Sequence, residues 1–218
     1  MKCHLGAIFG SIEPLVRLSG ALELYAKDDA LNHPVTHAFA CGKMAIGIVS
    51  DDLAAGAVNP YTIESRFGQL RVMSNPPYPT YWGNPDFNSI IESAKTPNLD
   101  KTIATAVTNM GNNLESVIVM APDRLYIALH SESTTSLFIG EYSHGLVEQS
   151  YGFATTREAL EAMGMTFWKC LARGDMTIIS KQGTSIVRPL WHINGDGLDS
   201  SDRHHSAYFE NGLVTAIA

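Results

Sequence analysis

The residue with the clearest chemical meaning is Cys3, which stands almost at the start of the chain and is followed by the small and apolar run 5–9. A cysteine that begins a chain can attack an amide carbon with its thiol while its own α-amino group takes up the proton. The position of Cys3 therefore predicts an amide hydrolase in which this thiol is the nucleophile.

Two residues stand in front of Cys3, and they bear directly on that chemistry. Met1 and Lys2 make the nitrogen of Cys3 a peptide nitrogen, which cannot take up a proton. A lysine after the initiator methionine normally blocks removal of that methionine, and the sequence leaves open whether both residues are removed. Two interpretations of Cys3 stand: a nucleophile freed by removal of Met1 and Lys2, or a buried strand cysteine that packs as a small hydrophobic side chain.

Other groups of reactive side chains are weaker candidates. His33 and His37 are four residues apart, but Pro34 lies between them and prevents a shared helix face. The segment 202–205 (Asp-Arg-His-His) could hold a metal ion, and an exposed polar tail is the simpler interpretation. The three cysteines form no Cys-x-x-Cys pair, and the chain has no phosphate loop or nucleotide-binding fingerprint. The sequence therefore predicts no metal site and no cofactor.

The composition argues against several classes of function. The chain has 218 residues, of which 45% are hydrophobic and 17% charged, and its net charge is −7. This is typical of a globular protein with a sizeable core, and the scattered Lys and Arg residues argue against binding to nucleic acid or an anionic membrane. No apolar run reaches the length of a membrane span, no secretory signal is recognisable, and the three widely spaced cysteines favour a reducing compartment. We therefore expect a cytoplasmic protein.

The candidate residues are positioned by strands and helices that the hydrophobic pattern predicts along most of the chain. The pattern predicts helices over 13–25, 99–110 and 157–163, and a helical turn over 86–93. In the first of these helices Leu15, Leu18, Leu22 and Tyr25 recur at helical spacing. The pattern also predicts strands over 3–9, 36–41, 43–50, 68–73, 116–120, 125–130, 136–140, 146–155, 168–171, 176–180 and 185–188, the last three forming a meander. The strands 116–120 and 125–130 are predicted to form a hairpin with Pro122 and Asp123 as its turn.

Many strands with few helices predict an α+β fold in which helices pack on stacked antiparallel sheets. No change of composition marks a linker, so we expect one domain over 1–190. The polar segment 191–218 is expected to pack on this domain or to extend it as a tail.

The order of several short motifs resembles the class II glutamine amidotransferases, in particular the glutaminase domains of glucosamine-6-phosphate synthase and amidophosphoribosyltransferase. Residues 136–140 (Ser-Leu-Phe-Ile-Gly) resemble the Ser-Pro-Leu-Val-Ile-Gly of that family, and residues 153–155 (Phe-Ala-Thr) resemble its Phe-Ala-Ser. Residues 172–175 (Ala-Arg-Gly-Asp) resemble its Glu-Glu-Gly-Asp, and residues 114–125 resemble its strand and hairpin. Each motif alone is weak, and the ordered series over roughly 3–188 carries the resemblance.

The resemblance implies a four-layer αββα sandwich of the N-terminal-nucleophile hydrolase type over residues 1–190. It implies a glutaminase reaction in which Cys3 is the catalytic nucleophile and Asn75 donates a hydrogen bond to the oxyanion. A turn residue before two prolines is the alternative interpretation of Asn75. In that family the ammonia passes to a synthase domain, so a separate synthase or another protein partner is implied here.

Four positions depart from the family pattern. The amine of Cys3 is blocked, and Asp52 stands where the family has the Arg that clamps the glutamine carboxylate. Leu53 replaces a Trp, and Pro76 replaces the Gly that supplies a backbone donor to the oxyanion. Asp52 would repel a substrate carboxylate and favour a cationic group instead; a solvated loop residue is its alternative interpretation.

Two further carboxylates fall on positions that the resemblance assigns to substrate binding. Asp86 falls on the acidic residue that binds the substrate ammonium group, and a helix N-cap is an equally good interpretation of it. Asp28 matches the Asp of the Arg-Gly-Tyr-Asp-Ser motif of the family, whose Arg and Gly are absent here.

A retained fold with altered chemistry residues predicts a degenerate glutaminase site and a binding, regulatory or structural role, with a small amide or amino acid as the ligand. The alternative is an active amide hydrolase or glutamine amidotransferase that uses Cys3 after removal of Met1 and Lys2. A third interpretation is an assembly protein without a small-molecule site. The sequence leaves open whether the chain forms a homo-oligomer.

Overall fold

The computed structural model describes residues 3–51, 61–75, 87–93, 97–108, 115–130, 133–144, 148–181 and 183–187. The strands in these ranges are β1 (Cys3–Phe9), β2 (Val35–Cys41), β3 (Met44–Ser50), β4 (Tyr61–Ser65), β5 (Gly68–Asn75), β6 (Ser116–Met120), β7 (Arg124–Leu129), β8 (Phe138–His144), β9 (Glu148–Ala154), β10 (Thr166–Cys170), β11 (Met176–Ser180) and β12 (Gly183–Val187). The helices are α1 (Pro14–Tyr25), α2 (Phe87–Glu92), α3 (Leu99–Thr108) and α4 (Arg157–Ala162).

The strands form two antiparallel sheets that pack face to face. The first sheet has the order β10-β8-β9-β1-β3-β2, and the second has the order β12-β11-β7-β6-β5-β4. Apolar side chains such as Leu5 and Ile127 fill the space between the sheets. Helices α1 and α4 cover the outer face of the first sheet, and α2 and α3 cover the outer face of the second. The described residues thus form the predicted four-layer αββα sandwich, which confirms the fold class.

Strand β1 places Cys3 at one end of the core between the two sheets. It lies between β9 and β3, the second sheet covers one of its faces and helices cover the other, so all of its residues are buried. Successive side chains of a strand point to opposite faces. Cys3 and Leu5 therefore face the second sheet, whereas Ile8 packs under the helices.

Helix α1 packs closely on β1 and β3 because two glycines lie beneath it. Gly6 and Gly47 are cross-strand partners, and a Cβ atom on either would come within 2.9 Å of a leucine side chain of α1. Those leucines, Leu18 and Leu22, are buried as their helical spacing predicts. Leu15 shares that spacing but is 45% exposed, because it lies beside the apolar face rather than on it.

Two features of the strand pattern differ from the sequence prediction. Strand β4 was not predicted, although its residues alternate between buried Tyr61 and Ile63 and exposed Thr62 and Glu64. The meander predicted over 168–188 is wrong, because β10 pairs with β8 in the first sheet whereas β11 and β12 pair in the second. A strand predicted from local pattern carries no information about its distant partner.

Several predicted features lie outside the described residues. They are the segment 191–218, the carboxylates Asp52 and Asp86, the departures Leu53 and Pro76, and the pair Met1 and Lys2. Among the described helices, none combines the length and the apolar character that crossing a membrane requires.

Candidate functional site

Cys3 is the first described residue of β1 and lies directly opposite Ser50 of β3. Its side chain is 5% exposed. Burial raises the pKa of the Cys3 thiol far above its usual range, because water no longer solvates the thiolate, and the negative charge of Glu115 raises it further. Cys3 is therefore a neutral thiol at neutral pH.

Two serine hydroxyls lie at the same end of the core as Cys3. Ser50 is the cross-strand partner of Cys3, and Ser116 is the cross-strand partner of Asn75. Directly opposed side chains of an antiparallel pair share one face of the sheet and lie close together. Both hydroxyl oxygens are fully buried and have no hydrogen-bond partner among the residues that the structure describes. The surroundings of the thiol are therefore polar as well as buried.

Asn75 and Glu115 form a hydrogen-bonded network on the second sheet. The side-chain amide of Asn75 donates to Glu115 Oε2 at 3.3 Å and to Thr135 Oγ1 at 3.5 Å. Thr134 Oγ1 donates to Glu115 Oε1 at 2.9 Å, and Thr135 Oγ1 donates to Glu115 Oε2. The Glu115 backbone N–H donates to the carbonyl of Asn75 at 2.8 Å. The Asn75 amide, which the family resemblance assigns to an oxyanion, is thus directed at a carboxylate.

A second network surrounds His4, the residue that follows Cys3. His4 Nε2 lies 2.8 Å from Asp28 Oδ2, and His4 Nδ1 lies 2.9 Å from Thr155 Oγ1. The imidazole stacks on the ring of Tyr25, with ring centroids 4.5 Å apart and planes 8° apart. The Thr155 backbone N–H donates to the Tyr25 hydroxyl at 2.8 Å. This network joins β1, the C-terminal end of α1 and the end of β9.

Both networks border one open cleft of about 900 Å³. Cys3, Asn75 and Glu115 line it together with residues of the segments 134–136 and 155–158, and His4 also reaches its wall. In the described part of the chain, no group of three His, Cys, Asp or Glu side chains could hold a metal ion. The described side chains that line the cleft offer a thiol, carboxylates, an imidazole, an amide, a guanidinium group and hydroxyl groups.

The structure brings some of the predicted site residues together. Cys3 and Asn75 both line the cleft. Asp28 lies behind it, where its partly exposed carboxylate accepts a hydrogen bond from the imidazole described above. Asp52 and Asp86 lie outside the described residues, so their assignment to substrate binding stays a prediction.

Sequence reasoning missed three residues that determine the character of the cleft: His4, Glu115 and Thr155. His4 carries a local signal, because an imidazole directly after a candidate nucleophile is a natural proton acceptor. Glu115 and Thr155 fell inside motifs that were used only for the fold. Glu115 and Thr155 lie close to the start of β1 only because strands from distant parts of the chain pair with each other. No local pattern reveals that pairing.

Comparison with known proteins finds similarity in structure. No protein-family model matches the sequence, and no curated protein is significantly similar to it. The solved structure of the allosteric regulatory enzyme of purine biosynthesis matches with a TM-score of 0.66 and 17% identity, over 88% of this chain and 50% of that chain. Glutamine phosphoribosylpyrophosphate amidotransferase from B. subtilis, complexed with ADP and GMP, matches with a TM-score of 0.65 and 17% identity over the same shares.

This chain has a class II glutamine amidotransferase-like fold. The similarity confirms the fold that the sequence resemblance implied. The chain spans about half the length of each of these two proteins. At 17% identity the similarity is one of fold, so the activity has to be argued from the residues of the cleft.

Proposed function

We propose that this class II glutamine amidotransferase-like domain lacks glutaminase activity and binds a small amino acid or amide in its cleft, in a binding or regulatory role. One observation carries the proposal: the thiol at the position of the nucleophile is buried, and its burial and the nearby carboxylate of Glu115 both raise its pKa. The thiolate is the reactive form of cysteine. A site that stabilises the neutral thiol opposes nucleophilic attack.

Two further catalytic groups are compromised. The nitrogen of Cys3 is bonded to Lys2 and cannot act as the base, and the loss of a general base lowers the rate about 100-fold or more. The amide of Asn75 donates to Glu115, so it is not free to stabilise an oxyanion. The loss of one oxyanion donor again lowers the rate about 100-fold or more. Together these changes support the absence of glutamine hydrolysis.

The charges of the cleft indicate the class of ligand. Glu115 and Glu158 contribute carboxylates and Arg157 contributes a guanidinium group. Glu158 and Arg157 are exposed, whereas Glu115 is half-buried. A zwitterionic amino acid offers an ammonium group to the carboxylates and a carboxylate to the guanidinium. We therefore expect neutral amino acids and their amides to bind more tightly than purely anionic or apolar molecules.

The test measures binding and activity on the same protein. The full chain is titrated with glutamine, asparagine and glutamate by calorimetry, and glutamate release from glutamine is followed in parallel. Intact mass is measured before and after exposure to a diazo-ketone analogue of glutamine. The proposal predicts saturable binding, no glutamate release above that of a Cys3→Ala variant, and an unchanged mass.

A chain that begins at Cys3 is the matched control, because it differs in the free α-amino group. If the full chain hydrolyses glutamine at a rate typical of enzymes, the proposal is wrong. If protein from the native host lacks Met1 and Lys2 and gains one adduct, the alternative replaces it, namely an active amide hydrolase that uses Cys3. If no amino acid or amide binds, the ligand part of the proposal is wrong.

A further inference from the structure

The contacts of His4 form a linear relay from a carboxylate to a hydroxyl. Asp28 Oδ2 lies 2.8 Å from His4 Nε2, and a carboxylate oxygen accepts, so this nitrogen carries a proton. In the tautomer that carries its proton on Nε2 alone, Nδ1 accepts a hydrogen bond from Thr155 Oγ1 at 2.9 Å. A hydroxyl held by an imidazole that is itself held by a carboxylate is the arrangement that activates serine and threonine nucleophiles.

The surroundings hold this relay in place. Tyr25 stacks on the imidazole with planes 8° apart, and its hydroxyl accepts the Thr155 backbone N–H at 2.8 Å. The same hydroxyl donates to the carbonyl of Leu5 at 3.4 Å. His4 is 7% exposed and Thr155 is 9% exposed. Tyr25 therefore holds both the imidazole and the threonine of the relay in place.

The hydroxyl of this relay belongs to a residue that lines the cleft. His4 and Thr155 both border the open space of about 900 Å³, whereas Asp28 is not part of that wall. The relay thus has its carboxylate behind the imidazole and its hydroxyl on the side from which a small molecule enters. Within the described residues, Thr134 and Thr135 donate to the carboxylate of Glu115 rather than to an imidazole.

We propose that Thr155 is a second nucleophile of the cleft, with His4 as its general base and Asp28 as the residue that positions His4. The substrate class is a small ester or another activated acyl compound. Thr155 Oγ1 attacks the carbonyl carbon and forms a C–O bond, while its proton passes to His4 Nδ1. The bond to the leaving alkoxide breaks, and this oxygen takes the proton from His4.

The acyl group is then transferred from Thr155 to water. A water molecule gives one proton to His4 Nδ1 and attacks the acyl carbon, and the ester bond to Thr155 breaks. The proton moves from His4 to the threonine oxygen, which restores the starting state, and the carboxylic acid leaves. Water is the one co-reactant, and Cys3 takes no part, so the inference goes beyond the proposed function and does not depend on it.

The experiment uses a fluorophosphonate probe on the full chain. An activated hydroxyl attacks phosphorus, the P–F bond breaks, fluoride leaves, and the hydroxyl proton passes to the base. We expect one adduct, and fragment mass spectra place it on Thr155. An unlabelled chain, or an adduct on any other residue alone, overturns the proposal without any need for a variant.

Variants separate a catalytic relay from a structural one. Thr155→Ser keeps a hydroxyl and is expected to be labelled, whereas Thr155→Val is expected to lose the adduct. His4→Gln and Asp28→Asn are expected to lower the maximal labelling rate roughly 100-fold, with little change in the half-saturating probe concentration. Thr105→Val, on the exposed side of α3, is the matched control and should be labelled at the normal rate.

Each variant is first checked for folding by circular dichroism. Labelling of folded His4→Gln at the normal rate overturns the proposal, because a merely structural imidazole would not change the chemistry of the threonine. Failure of glutamine binding leaves this result untouched, and failure of labelling leaves the proposed ligand binding untouched. The two proposals therefore stand or fall separately.

Discussion

Alkylation of the cysteines tests the chemical state of Cys3 most directly. Cys41 and Cys170 are exposed, whereas Cys3 is buried, so one chain carries the test residue and two references. Alkylating reagents react with the thiolate, and an ordinary thiol with a pKa near 8.5 is about 10% ionised at about pH 7.5. Each unit by which burial and Glu115 raise the pKa of Cys3 lowers its ionised fraction about tenfold.

We expect Cys3 to react with iodoacetamide at least about 100-fold more slowly than the two references. The raised pKa of the thiol and its 5% exposure act in the same direction. Samples quenched at increasing times at about pH 7.5 are digested, and peptide masses give one rate constant for each cysteine. Cys41 and Cys170 correct for reagent decay and for partial unfolding, since all rates come from the same molecule.

The variant Glu115→Gln tests the electrostatic part of this prediction. It removes the negative charge that raises the pKa of Cys3, so the rate for Cys3 should increase while the rate for Cys41 stays the same. Equal rates for Cys3 and Cys41 in the unmodified chain would refute the buried neutral thiol, and with it the main support for the proposed function. A rate for Cys3 that is insensitive to Glu115→Gln would refute the contribution of the carboxylate.

The remaining predictions concern stability. Gly20→Ala should lower the free energy of unfolding in urea by roughly 1 to 2 kcal/mol, because a Cβ there would lie 2.7 Å from the carbonyl oxygen of Ala162, and this overpacking exceeds the gain in helix propensity; increased stability would contradict the close packing of α1 on α4. Tyr25→Phe should cost about 1 to 3 kcal/mol in thermal unfolding, because its buried hydroxyl makes two hydrogen bonds to the backbone; an unchanged melting temperature would count against them. Asp123→Asn should change the free energy of unfolding by less than about 1 kcal/mol at neutral pH, since its pair with Arg124 is partly exposed. The hydrogen bond from Arg124 lowers the pKa of Asp123 below its usual 3.8, so this small stabilisation is present above pH 3.8 and is lost as the pH falls through the lower value of the folded state; a difference between Asp123→Asn and the unmodified chain that grows in acid would contradict that sign.

Much of the fold was predictable because each element carries its own pattern. The apolar run of β1 predicted its bounds, and the helical spacing of Leu18 and Leu22 predicted the buried face of α1. The turn at 122–123 predicted the hairpin of β6 and β7, which is the pairing observed. These features are local, so neighbouring residues suffice to determine them.

Features that depend on distant pairing were not predictable in the same way. The strand β10 was predicted beside β11 because the two are neighbours in sequence. It pairs instead with β8 in the first sheet, whereas β11 belongs to the second. The candidate site shows the same limit. Cys3 was proposed from its place near the start of the chain and Asn75 from the family resemblance. Asn75 donates its amide to Glu115, a residue that local patterns did not connect with it.

The sequence by itself determined most of the elements and their order, the apolar core and the presence of a cysteine near the start of a strand. Only the tertiary structure decided what that cysteine and its neighbours can do. Burial and the charge of Glu115 set the state of the Cys3 thiol, and strand pairing brings Thr155 to His4 from 151 positions away in the chain. The reactivity of a side chain depends on its solvation and on the charges within a few ångströms. Folding, rather than the local sequence, supplies both.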